Sequence, residues 1–135
     1  MAEITRKELV LALISSGERP RLRELNLAGL DMSGLSLSNA DLQGSNLQGA
    51  NLRGALLDGA SLAGADLSGA DLSGAQICGA DLSGAILVKA QLQASNLTNA
   101  TLKEADFSGA VLTDACLDQA NTSGAKGLGL GLKSG

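Results

Sequence analysis

The chain has 135 residues, enough for one domain, and a formal net charge of −4 from 10 basic and 14 acidic side chains. It contains no His, Trp or Tyr and a single Phe. Those counts exclude a core built on large aromatic side chains, a histidine-based catalytic or metal site, and the basic footprint that nucleic-acid binding needs.

The charge is unevenly spread. Residues 1–40 hold five acids and five bases, whereas residues 41–120 hold nine acids against Arg53, Lys89 and Lys103. A mildly acidic body of this kind is unsuited to an anionic membrane surface.

In chain order, residues 1–20 read as a capping helix and lead-in. Thr5-Arg6-Lys7-Glu8 has the form of a capping box, with Ile4 and Leu9 at the flanking staple positions. Leu9, Val10, Leu13 and Ile14 form an apolar stripe at helical spacing, and Gly17 is the expected stop. The unbroken apolar run from Leu9 to Ile14 is too short for a membrane span and lacks a signal-peptide cleavage site. A stripe like this suits either a cap on the rest of the fold or a membrane or partner helix.

From Leu22 to Leu117 an apolar residue recurs at every fifth position, Leu throughout except Met32, Ile77 and Phe107. Two residues earlier, from Ala40 to Ala120, the residue is Ala except at Ser45 and Ser95. The residue just before each Leu is usually Asp or Asn, and the other two are often Ser and Gly. Five residues advance an α-helix by about 500°, which would smear the leucines around its circumference. A plain strand has period two and would send alternate leucines to opposite faces. The pattern fits a very short strand followed by a turn, with Leu and Ala pointing inward and the other three residues facing water.

With the run Ala65-Asp66-Leu67-Ser68-Gly69-Ala70-Asp71-Leu72 as its clearest stretch, the sequence resembles the pentapeptide repeat family, whose template is Ala-(Asp/Asn)-Leu-x-x. The resemblance covers residues 21–125. It implies an all-β fold, a right-handed quadrilateral parallel β-helix with four pentapeptides per coil. Residues 22–121 then make five coils about 4.8 Å apart, a rod roughly 24 Å long. Residues twenty apart stack, so Leu42, Leu62, Leu82 and Leu102 share an inner column. An end coil exposes backbone and leucines and needs a cap, the role expected of residues 1–20. In the first coil Leu25, Leu30 and Leu35 replace the usual Ala and enlarge the apolar end. The family commonly begins with a short helix and a lead-in similar to Gly17-Glu18-Arg19.

Glycine fills every turn slot from Gly44 to Gly84, which predicts type II turns in the middle coils. Beyond residue 85 the same slot holds Lys89, Ala94, Asn99, Glu104, Gly109, Asp114 and Gln119, and a different turn type is expected on several of those corners. Residues 126–135 form a Gly-rich tail. It lacks the strand and helix that flank a phosphate-binding loop. Leu128, Leu130 and Leu132 are spaced to cover the open end or to meet a second molecule, and an unstructured tail fits equally well.

Little in the outward residues suggests catalysis. Cys78 and Cys116 fall on one face two coils apart, too distant for a disulfide and without basic neighbours to form a thiolate. Sequons beginning at Asn96, Asn99 and Asn121 arise from the repeat itself. Stacked acids alternate with neutral residues: Asn51 separates Asp31 from Asp71, Ser61 separates Asp41 from Asp81, and Ile86 separates Asp66 from Asp106. A convex rod filled by Leu and Ala gives such carboxylates no concavity for metal, and no cofactor is expected. Apolar residues break the polar surface at Leu56, Ile86, Val88 and Val111, which marks a candidate partner-facing patch.

The expected function is a non-catalytic structural or protein-interaction module. Its partner is an unidentified protein, with no direct nucleic acid and no membrane. The chain is expected to be cytoplasmic and bacterial, especially cyanobacterial, and a monomer or a C-terminal end-to-end homodimer. The resemblance also implies an alternative, a DNA-mimicking modulator of DNA gyrase or another type II topoisomerase. Its phosphate-like groups would be Asp41, Asp58, Asp66, Asp71, Asp81 and Asp106. Relatives of that kind are longer rods with several inner Phe residues, where this chain has Phe107 alone.

Overall fold

Each outward residue that precedes an inward Leu is bridged in parallel to the residue twenty positions on, from Arg21 with Asp41 to Asp106 with Lys126. The structure, a computed structural model, describes residues 2, 4–15 and 19–129. Its solenoid has coils at 21–40, 41–60, 61–80, 81–100 and 101–120, and a sixth begins at Asn121. The strands are so short that each contributes one bridge to each neighbouring coil. Four flat faces result. Face I carries the bridged residues 21, 41, 61, 81, 101 and 121; face II follows at 26 and every twentieth residue on, face III at 31, and face IV at 36.

One pentapeptide shows how the backbone is satisfied. The Ala65 amide closes the turn onto the Leu62 carbonyl at 3.0 Å; the Asp66 amide donates down to Ser45 O at 3.0 Å. The Leu67 and Gly69 amides donate up to Ile86 O and Val88 O at 2.6 and 2.9 Å. That leaves the Ser68 amide, which donates to Oδ1 of Asp66 at 3.0 Å. A buried or half-buried amide left unpaired is costly, so the side chain before the Leu has a structural task.

The core is a stack of leucine and alanine layers. In the leucine row every position from Leu22 to Leu117 is buried except Leu112, which is half-buried on the last full coil; in the alanine row Leu25, Leu35, Ala110 and Ala120 are half-buried. The two departures from Ala are buried as well. Ser45 and Ser95 satisfy their hydroxyls on the turn carbonyls of Leu42 and Leu92, each at 2.7 Å.

The corners correct one expectation. Positive φ at only the third residue of the turn defines type II, and it occurs at every fifth residue from Glu24 to Gly124. Lys89, Ala94, Asn99, Glu104, Asp114 and Gln119 have φ between 58° and 63°, so no different turn type sets in beyond residue 85. The ladder explains this. The Ala94 amide is bonded to Thr113 O at 2.9 Å, and Ser95 closes the turn onto Leu92 O at 3.1 Å. Another turn would break these bonds, and their sum exceeds the roughly 1–2 kcal/mol that an L-residue loses in the left-handed region. Ala94→Gly should therefore stabilise the protein by about 0.5–1 kcal/mol in urea unfolding, despite the added freedom of the unfolded chain.

The N-terminal helix α1 spans Arg6–Ser15. Its capping box is formed: the Thr5 amide donates to Glu8 Oε1 at 3.0 Å and the Glu8 amide to Thr5 Oγ1 at 3.1 Å. Leu9 is fully buried, and Ile4, Leu13, Leu25 and Leu35 pack around the core beside buried Leu30. The enlarged first coil receives the helix as its leucines suggest. Gly17 and the Ile14 side chain lie outside what is described. At the other end Leu128 is half-buried against the core, and Leu130 and Leu132 lie outside the described residues.

Candidate functional surface

Asp and Asn recur before the inward Leu because they accept the amide two residues on. All such residues do so: Asn26, Asp31, Asp41, Asn46, Asn51, Asp66, Asp71, Asp81, Asn96, Asp106 and Asn121, at 2.9–3.3 Å. This is the local Asx turn that such side chains favour. Where Gln76 occupies the slot, its longer side chain does not take this bond, and Asp58 from the coil below accepts the Cys78 amide at 2.9 Å. All six carboxylates proposed for phosphate mimicry are thus engaged in backbone satisfaction. The sequence signal was present in the two-residue offset, but reading it requires knowing that this amide has no ladder partner.

Their placement disperses them. Asp41 and Asp81 lie on face I, Asp66 and Asp106 on face II, Asp71 on face III and Asp58 on face IV. Arg23 pairs with Asp41 at 3.0 Å and Arg53 with Asp71 at 3.2 Å, while Gln48 donates to Asp66 at 2.5 Å. The stacking through Asn51, Ser61 and Ile86 is as expected.

Burial pushes the Asp66 and Asp71 carboxyls up, but hydrogen bonds outweigh it and both titrate below the usual carboxylate range. The donors are Gln48 and Ser68 for Asp66, and Ser73 and Arg53 for Asp71. Hydrogen bonds from Ser33 and Ser108 lower Asp31 and Asp106 in the same direction. A folded pKa below the unfolded value gives stability that is present above the unfolded pKa, about 4, and is lost as pH falls through the folded one. The melting temperature should hold from pH 7 to about 5 and drop below 4. Asp66→Asn with Asp71→Asn should flatten that drop while preserving stability at pH 7, because Asn makes the same turn bond in this slot. Thermal melts across pH check it; an equally steep drop in the variant would contradict the assignment.

The cysteines occupy face IV. Cys78 Sγ lies 4.0 Å from Asn96 O, and Cys116 Sγ lies 3.4 Å from Thr98 Oγ1. Both are free thiols. Burial, with Asp58 adding to it, pushes the Cys78 thiol up and away from thiolate character. Among the described residues no group of three or more His, Cys, Asp or Glu converges on a metal position. Two hollows among the described residues are shallow and open, on face III among Arg53, Ser73, Gln91 and Gln93 and under α1 among Thr5, Arg6, Leu30 and Asp31.

The four apolar intrusions do not form one patch. Ile86 and Val88 flank Leu87 on face II, and Val111 lies on adjoining face III, one coil further on. Leu56 is on face IV, across the rod from face II. Leu56, Ile86 and Val111 are 42%, 40% and 40% exposed, whereas Val88 is half-buried.

Solved structures share this architecture. A pentapeptide repeat protein from the thylakoid lumen of Arabidopsis thaliana superposes with a TM-score of 0.57 at 29% identity, covering 71% of this chain and 70% of that one. One from Nostoc Pcc 7120 covers 97% and 96% at 25% identity and TM-score 0.55. The Rfr23 protein of the cyanobacterium Cyanothece 51142 covers 75% and 82% at 25% identity and TM-score 0.53. A search of curated proteins found no match. No helix among the described residues is long and apolar enough to cross a membrane. The family model for pentapeptide repeats, in 8 copies, matches residues 21–59, 45–84 and 85–124, and with the twenty-residue ladder between coils it shows that the chain belongs to the pentapeptide repeat family.

Proposed function

We propose that this chain is a non-catalytic protein-interaction module of the cytoplasm, a rigid solenoid that presents an apolar contact around Ile86, Val88 and Val111 to another protein. The observation that carries the reading is the exposure of Ile86 and Val111 on adjoining faces of the rod, with Val88 beside them, whereas Leu56 stands alone on face IV. Apolar side chains held on a rigid ladder lose little conformational entropy on binding, which favours a preformed contact. Binding of the retained partner should weaken at least tenfold in Ile86→Asp with Val88→Asp, about 1.4 kcal/mol or more. Leu56→Asp, on the opposite face, should leave it unchanged. Equal loss in both variants, or in neither, would count against the patch.

No observation favours the topoisomerase reading. No face carries more than two of the six carboxylates, so they form no continuous strip like a phosphate backbone, and purified gyrase should supercoil DNA at an unaltered rate in its presence. We also favour a monomer over an end-to-end homodimer. An isologous contact at the C-terminal end would bring Asp114 and Asp118 of two copies together.

A further inference from the structure

The bridged column of face II runs Asn46, Asp66, Ile86, Asp106 and Lys126, each one coil above the last. Ile86 is exposed, and the residues directly below and above it are both aspartates. Each aspartate commits Oδ1 to the amide two residues on, from Ser68 and from Ser108, at 3.0 Å. Oδ2 of Asp66 accepts a bond from Gln48, and Oδ2 of Asp106 accepts none among the described residues. An ionised carboxylate has about four lone-pair sites, so both keep acceptor capacity for a further donor. Val88 lies beside Ile86 in the second column of the face, between Ser68 and Ser108. Glu104 and Lys89 stand at the two corners that bound the face, and the Lys89 stem leans over the bare Gly109 corner.

Spacing and charge restrict what can cover this column. From Asp66 to Lys126 its positions fall at about 0, 4.8, 9.6 and 14.4 Å along the rod. Residues i, i+3, i+7 and i+10 of an α-helix form one stripe at about 0, 4.5, 10.5 and 15 Å. Same-side residues of an extended strand are about 6.7 Å apart and lose register by the second step. A second copy of the chain is unsuited. A two-fold pairing that sets Ile86 on Ile86 brings Asp66 against either Asp66 or Asp106 of the other molecule, whichever way the rods run. The complement is a stripe with a base on each side of an apolar residue and an acid one turn beyond.

We propose, resting on the reading of Ile86 as a contact, that face II receives an amphipathic helix of a partner protein laid along the rod. Its basic residues lie over Asp66 and Asp106, an apolar residue over Ile86 and an acidic residue over Lys126. The charges set register and direction, and the apolar anchor excludes water between them. Isothermal titration calorimetry of the full chain at low ionic strength, where surface pairs are least screened, tests this. The probe is an alanine-rich helical peptide carrying Lys, Leu, Lys and Glu at i, i+3, i+7 and i+10. Saturable one-to-one binding is expected, and a peptide with Glu, Leu, Glu and Lys at those positions should bind about tenfold more weakly. Asp66→Asn with Asp106→Asn, which keeps both turn bonds, should weaken binding about fivefold. Ile86→Ser, which removes the apolar side chain without adding charge, should weaken it about tenfold. Leu56→Asp, on face IV, should leave it unchanged. Amide-exchange protection at Leu87 shows that the coil is intact in each variant. Absence of saturable binding, equal binding of the two peptides, or an affinity insensitive to the paired Asn substitutions would overturn the proposal. In that last case, a loss confined to Ile86→Ser would leave the apolar contact standing without the basic helix, and no loss there would remove the contact as well.

Discussion

Leu72→Asp should abolish cooperative folding rather than merely lower its midpoint. Leu72 is 1% exposed, with Leu52 and Leu92 in the same inner column one coil to either side. Removing its side chain from the core forfeits about 1.5–3 kcal/mol. The larger effect is the carboxylate: among Leu and Ala it finds no donor, and burying an unpaired charge adds several kcal/mol more. A domain of this size has about 5–15 kcal/mol of net stability. In a solenoid that stability is a sum of neighbour terms, so the defect cuts the interfaces on both sides and splits the rod at its middle. Leu112→Asp is the control, since Leu112 is already half-exposed. Thermal melts by circular dichroism should show a retained transition for the second variant and none for the first. Equal melting temperatures would mean that the leucines do not line the interior.

Gly127→Val should produce the next largest effect, confined to the C-terminal end. A Cβ at Gly127 would stand 2.5 Å from Phe107 C and Ser108 N, and the residue has φ of +78°. Those are backbone atoms, so no side chain can swing aside, and a β-branched residue is strained at that φ in any case. Residues 126–128 would lift away and break the bonds from Phe107 N–H to Lys126 O, at 2.8 Å, and from Lys126 N–H to Ala105 O, at 2.9 Å. Two hydrogen bonds and the strain together amount to about 3 kcal/mol of local stability. Hydrogen exchange at the Phe107 amide should accelerate on the order of a hundredfold while Leu72 is unaffected. Gly109→Val should do less, because its added Cβ meets the flexible Lys89 Cγ at 3.3 Å. Unchanged exchange at Phe107 in Gly127→Val would contradict the packing of this end.

The fold was legible because one period governs it. A recurrence of five excludes helix and plain strand, and the unbroken row from Leu22 to Leu117 leaves no ambiguity of register. The corners were less legible. Lys89 and Ala94 prefer other turns when judged locally, but the ladders on both sides of each corner fix the backbone before the side chain has a say. The carboxylates were read as solvent-facing charge, and they do face solvent, yet their first task is to satisfy an amide that the coil geometry strands. Arg6 was invisible for a similar reason. Nothing in Thr5-Arg6-Lys7-Glu8 says that its guanidinium donates to the Asp31 and Ser33 carbonyls, at 2.9 and 3.1 Å, because that requires their position in space. The outward direction of Ile86, Val88 and Val111 followed from the repeat, whereas Leu56 was grouped with them until the bridges between coils placed it on face IV.

The central claim is that four pentapeptides make one turn, so that hydrogen bonds join residues nineteen and twenty-one apart. Scalar couplings across hydrogen bonds measure this directly by NMR. The Leu72 amide nitrogen should couple to the carbonyl carbon of Gln91, and the Gln76 nitrogen to that of Ala55, as the bonds at 2.6 and 2.9 Å require. Couplings from Leu72 to a carbonyl at any other separation would contradict the quadrilateral coil.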